Sequence, residues 1–274
     1  MKLGVFIMLK QEIEEEFSKL QKLGFSTCQL SCWNLPLMES EGFAERVKNA
    51  AEKYGITITA CWCGWSGLAC WNFFEGPHTL GLVPMQYREM RVNELKREFD
   101  FAKKLGVTDV ITHVGYLPEV AASTEYHQMV TTLKDVAGYA KNNGQYFLFE
   151  TGQETPITLK RTIQDIGLDN LGINLDPANL ILYGKANPVD ALDVFGEYVR
   201  GIHGKDGLYP TDGYELGKEV RIGDGKVNYP AFIKRLKEVG YDGAITIERE
   251  ISGEEQIKDI IHAKQYFERI LEAI

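Results

Sequence analysis

YFLFETG (146–152), LGINLDPAN (171–179), VRGIHGKD (199–206) and GAITIERE (243–250) share one layout. Each contains a short, mainly apolar run that leads to a residue with acid–base chemistry: Glu150, Asp176, His203 or Glu248. Short runs of this kind, separated by longer amphipathic stretches, read as parallel strands joined by crossover helices. In a parallel barrel the reactive groups gather at the C-terminal strand ends, so four polar strand ends in succession point to one shared mouth. Side-chain alternation supports this. If Glu248 points inward, so do Thr246 and Ala244, while Ile245 and Ile247 face the helices. His203 takes Gly201 with it, and Asp176 takes Asn174 and Gly172. The inward set is small or polar, which leaves room for a ligand above a crowded interior layer.

Working outward, the pattern predicts strands over 2–8, 27–32, 56–63, 109–115, 145–151, 171–176, 198–206 and 243–249. Helices are expected over 11–23, 42–54, 87–105, 124–142, 158–166, 189–195, 230–239 and 253–273. Gly24, Gly55, Gly106 and Gly240 stand where a left-handed cap would end a helix, and Pro230 fits a first helical turn. Strand–helix units in this number close a barrel, and 274 residues suit one α/β domain, a single (β/α)₈ TIM barrel over 1–274.

The formal net charge of −9 disfavours a phosphate backbone, so nucleic acid is not an expected partner. Five cysteines, an odd number, do not make a disulfide framework. Cys61, Cys63 and Cys70 have no usual zinc spacing; buried, reduced thiols are expected. The N-terminus lacks a cleavage-site pattern, and no apolar run approaches the roughly 20 residues of a bilayer span. A cytoplasmic protein without a membrane partner is therefore expected. Three carboxylates and an imidazole make a mixed oxygen–nitrogen set for one divalent cation, Mn²⁺ first, with Mg²⁺, Co²⁺ or Zn²⁺ compatible. Without a cation, converging carboxylates would raise one another's pKa.

FETG (149–152), NLDPANL (174–180), IHGKD (202–206), RIGDGKVNY (221–229) and YDGAITIERE (241–250), in this order and at these strand ends, carry a family resemblance. Over essentially its whole length the chain resembles the xylose isomerase-like superfamily of barrels. That group includes sugar-phosphate isomerases and epimerases, ketose 3-epimerases, hydroxypyruvate isomerases and endonuclease IV-type repair enzymes. The resemblance implies that Glu150, Asp176, His203 and Glu248 ligate the metal and that Glu150 and Glu248 exchange protons with substrate. It places His113, Lys205 and Arg221 at the substrate, and it is compatible with a homo-oligomer of unspecified size. Many relatives carry a histidine three residues after the strand-six aspartate; here Asn179 stands there, able to hydrogen-bond a hydroxyl but not to transfer a proton. His127 and His262 fall in expected helices, which leaves too few histidines for the multi-zinc nuclease set.

The expected function is a divalent-metal-dependent isomerase or epimerase of a small sugar, ketose or sugar phosphate, working through an enediolate. A metal-dependent lyase, dehydratase or hydrolase on a polyol-like substrate is the alternative, and a non-catalytic sugar-binding barrel a further one. Two substrate features are open at this level. Arg221 with the N–H groups of Gly223 and Gly225 reads either as a phosphate subsite or as a glycine turn beside a solvated arginine. Trp33, Trp62 and Trp65 read either as a wall for a sugar face or as core.

Overall fold

The computed structural model describes residues 1–273. Strands β1 (Lys2–Met8), β2 (Thr27–Cys32), β3 (Thr57–Cys63), β4 (Asp109–Thr112), β5 (Tyr146–Glu150), β6 (Leu171–Leu175), β7 (Val199–Gly204) and β10 (Ala244–Ile247) form the sheet; β8 (Asp206–Gly207) and β9 (Glu219–Val220) make a separate antiparallel pair. The sheet closes as β1-β10-β7-β6-β5-β4-β3-β2, and every pairing in it is parallel. This is a (β/α)₈ barrel, as expected. Register brings the strand ends level: Glu150 pairs with Asn174, Asn174 with Gly201, and His203 with Thr246.

Two apolar layers follow from the alternation. Ile245, Ile247, Ile202, Ile173, Phe147 and Phe149 face outward and join Phe17, Phe99, Phe195, Phe232 and Phe267 from the surrounding helices and loops in the main core. Ala60, Trp62, Ile111 and Leu148 form a second, smaller cluster with Phe6 and Tyr146. Gly201 leaves the space in which Gln29 Nε2 donates to Asn174 Oδ1 at 3.1 Å, and Gly172 leaves room for the Arg200 side chain. The expected glycine caps are present, with Gly24, Gly55, Gly106 and Gly240 at φ of 73, 65, 77 and 87°.

The differences lie at strand ends. The strand expected over 109–115 stops at Thr112, because Gly115 at φ 93° turns the chain. The strand expected over 198–206 breaks after Gly204, and Asp206 begins the β8–β9 pair. The short helix Pro177–Leu182 was not anticipated; Asp176 caps it by accepting from Asn179 N at 2.9 Å. All five cysteines are free, and four of them are buried. No helix among the described residues is long and apolar enough to cross a membrane.

Candidate metal centre and the cavity above it

Glu150, Asp176, His203 and Glu248 converge as their strand positions require: each offers one donor atom, and these atoms lie within 4.8 Å of one another. All four side chains are buried. His203 Nδ1 is 3.1 Å from Glu150 Oε1, 3.1 Å from Glu248 Oε2 and 3.8 Å from Asp176 Oδ2. Asp176 spends Oδ1 on its helix cap, while Oδ2 is buried with no hydrogen-bond partner among the described residues. A buried carboxylate oxygen left over in this way, aimed at an imidazole nitrogen and two further carboxylates, fits a divalent cation in chemistry and in number of donors.

The expected mutual raising of the carboxyl pKa values is overridden at two of the three carboxylates, because cationic side chains lie among them. Burial pulls the His203 imidazole down, but the Glu150 and Glu248 carboxylates outweigh it and hold the group well above its ordinary pKa. Burial pushes the Glu150 carboxyl up, and His203 with His113 brings it below its ordinary value. Burial likewise opposes ionisation of Glu248, where Lys205 and His203 prevail and hold it low. For Asp176 burial prevails and the carboxyl is raised. The pocket as a whole therefore attracts positive charge.

Sequence reasoning missed the residue that aims His203. Gln29, on β2, accepts from His203 Nε2 at 2.8 Å. Because Gln29 uses its amide nitrogen on Asn174, its oxygen faces the imidazole and accepts from Nε2–H, which directs Nδ1 at the carboxylates as the atom a cation would take in place of a proton. A lone inward glutamine on a strand of mixed pattern gave no signal of this role.

Above the cluster opens a cavity of about 340 Å³, lined by Phe6, Trp33, Trp62, Trp71, His113 and Tyr183 on its aromatic side and by Glu150, Asn179, Lys205, Glu248 and Glu250 on its polar side. Most of the expected substrate-facing residues are here. His113 Nε2 lies 3.6 Å from Glu150 Oε1. Asn179 Nδ2 donates to Glu150 Oε1 at 3.4 Å and accepts at Oδ1 from Lys205 at 3.4 Å. Trp62 Nε1 donates to Glu150 Oε2. Lys205 also meets Glu248 at 3.4 Å, Asp176 at 3.6 Å and Glu250. Glu250, half exposed, forms its ion pair with Lys205 at the rim of the mouth.

Two expectations shift. Trp65 is buried behind the aromatic wall, in contact with Trp33, Trp62 and Trp71, and Trp71 takes the lining position instead. Trp71 lies in the long loop after β3, whose path the sequence could not supply. Arg91 fixes that loop: its guanidinium donates to the carbonyls of Ser66, Leu68, Thr79 and Gly81 and sits 5.3 Å from the Trp65 ring centroid. Gly64 is needed beside it, since a Cβ there would lie 2.4 Å from the Trp33 ring.

Arg221 is the other shift. It is exposed, pairs with Asp224 at 3.0 Å, and stands outside the cavity lining. The glycine turn next to it is already filled. Asp206 accepts from the N–H groups of Gly207 at 2.9 Å, Gly223 at 3.0 Å, Gly225 at 3.1 Å and Val227 at 3.1 Å. A Cβ at Gly225 would lie 2.0 Å from that carboxylate, so the glycine serves the close approach. Asp206→Ala strands these donors and should lower stability by about 3 kcal/mol or more, read as a fall in the urea midpoint.

Residues 17–270 match the family model described as the xylose isomerase-like TIM barrel. The chain belongs to the xylose isomerase-like TIM barrel family. A family member of known structure, a xylose isomerase domain protein from Planctomyces limnophilus, is 35% identical, with 100% of this chain and 98% of that one covered at a TM-score of 0.93. Among curated proteins, the uncharacterized protein MJ1311 of Methanocaldococcus jannaschii is 27% identical over 198 residues, 68% of this chain; the match spans 64% of the relative's length. The D-psicose 3-epimerase of Clostridium cellulolyticum H10, solved with D-tagatose, superposes at a TM-score of 0.74 with 99% of each chain covered; at 16% identity this likeness concerns the fold alone.

Proposed function

We propose that the protein is a divalent-metal-dependent isomerase or epimerase of a small sugar. The observation that carries this reading is the convergence of Glu150, Asp176, His203 and Glu248 beneath a cavity that also exposes two of those carboxyl groups, Glu150 and Glu248. The family and the epimerase among its structural neighbours support it. Glu150, Asp176, His203 and Glu248 would hold the cation through one carboxylate oxygen each and through His203 Nδ1. When bound, the cation supplies Lewis-acid polarisation of a substrate carbonyl.

The remaining chemistry belongs to side chains. One of Glu150 and Glu248, ionised, takes the proton from the carbon beside the carbonyl, and the C–H electron pair passes into the enediolate. The other carboxyl group, which is also held ionised by His203 and its neighbours, first takes a proton from solvent and then delivers it to the opposite face. Return to the same carbon inverts it; return to the neighbouring carbon, with the hydroxyl proton passing from one substrate oxygen to the other, moves the carbonyl. The first group then gives its proton back to solvent, and both are ionised again. Asn179 holds Glu150 in place and does not itself transfer a proton. Trp62 and His113 close the apolar side of Glu150 against water.

Incubating the protein and Mn²⁺ with a panel of ketoses in ²H₂O tests this reading. Solvent deuterium should appear at the carbon next to the carbonyl of one substrate, together with an epimer or an isomer. Metal-dependent loss of water from the substrate without such a product would favour the dehydratase alternative. Gln29→Leu should lower Mn²⁺ affinity by about 10- to 100-fold in a calorimetric titration, while Gln29→Glu, which keeps the acceptor, should lose less.

A further inference from the structure

The cavity's lining narrows the substrate class of the isomerase or epimerase proposed above, and the inference rests on that reading for its site. The four tryptophans of the chain stand together at this one mouth. Trp33 and Trp62 have ring centroids 5.3 Å apart, Trp33 and Trp65 5.8 Å, and Trp65 and Trp71 6.2 Å. Trp33 and Trp71 remain 40% and 41% exposed, with ring surface open beside the carboxylate cluster. Such a platform suits the C–H face of a sugar ring, while Asn179, His113 and Glu250 offer hydrogen bonds to hydroxyl groups.

The charge on the other side of the cavity is committed. Among the described residues no arginine lines it, and the one lysine that does, Lys205, is 3% exposed and faces Asp176, Glu248 and Glu250. Its ammonium is thus already paired on three sides. The backbone nest formed by Gly223 and Gly225, where a phosphate would otherwise be held, contains the Asp206 carboxylate. An incoming phosphate would therefore meet Glu250 at the mouth, with no arginine and no unpaired lysine in the lining to receive it.

We propose that the substrate is a neutral, unphosphorylated sugar that lays a C–H face on Trp33 and Trp71. Because every tryptophan belongs to this mouth, intrinsic fluorescence reports its occupation directly. With Mn²⁺ present, titration with D-fructose, D-psicose and D-tagatose should change the emission saturably for at least one sugar. Fructose 1-phosphate and fructose 6-phosphate should bind at least tenfold more weakly than that sugar, and inorganic phosphate should not compete with it. Trp33→Ala and Trp71→Ala, both at exposed positions, should each weaken the sugar about tenfold and leave Mn²⁺ affinity unchanged. Equal or tighter binding of a phosphate ester, competition by inorganic phosphate, or no response to any free sugar would overturn the proposal. Saturable binding of a free sugar without deuterium incorporation would uphold it and count instead against the isomerase reading.

Discussion

Glu150→Gln and Glu248→Gln should each lower the rate at which epimer or isomer forms by about 10³- to 10⁴-fold, the size expected when a positioned acid–base group is removed. The amide keeps the volume and one oxygen donor but cannot accept a proton from carbon. The loss should therefore fall mainly on kcat. The two variants should also differ. If the groups act on opposite faces, one variant retains exchange of the substrate proton from its own face, while the other loses it. Near-normal exchange in both would remove the carboxylates from the chemistry and leave them as metal ligands only. Glu150 is the more crowded of the two, held by Trp62, Asn179, His203 and the nearby His113, so an amide there also tests whether those donors need a charged acceptor.

Removing the cation has the second large effect. Exhaustive chelation abolishes turnover, and added Mn²⁺ restores it in the parent protein. In His203→Ala restoration fails at the Mn²⁺ concentration that saturates the parent, because the one nitrogen donor is gone and the surrounding carboxylates lose the group that orders them. Thermal melting separates this from misfolding: the parent gains Tm with Mn²⁺ by mass action, and the variant should keep a cooperative transition that the ion no longer shifts. Restoration of His203→Ala at the parental Mn²⁺ level would place the ion elsewhere.

The barrel and its four convergent side chains were legible for one reason: strand ends in a parallel barrel put short-range sequence position and spatial position in register. Glu150, Asp176, His203 and Glu248 each close a strand, so locating the strands located the cluster. What lay in loops was not legible in the same way. Trp71 reaches the cavity because Arg91 gathers four backbone carbonyls of the long loop after β3, a long-range arrangement with no local pattern. The RIGDGK segment looked like an anion nest because it is one; its occupant is Asp206 of the same chain, 17 residues before Gly223, which only the fold reveals. Gln29 was hidden for a different reason. Its role depends on which amide atom meets Asn174, and that is decided by an interior contact between residues 145 positions apart.

The proposed activity requires a single ion held by four side chains from separate strands. Titration calorimetry of the metal-stripped protein with Mn²⁺, followed by anomalous diffraction from the loaded crystal, tests that most directly. One site per chain is predicted, with the anomalous peak between Asp176 Oδ2, His203 Nδ1 and the carboxylates of Glu150 and Glu248. A protein that takes up no ion, or a peak bound elsewhere, would contradict it.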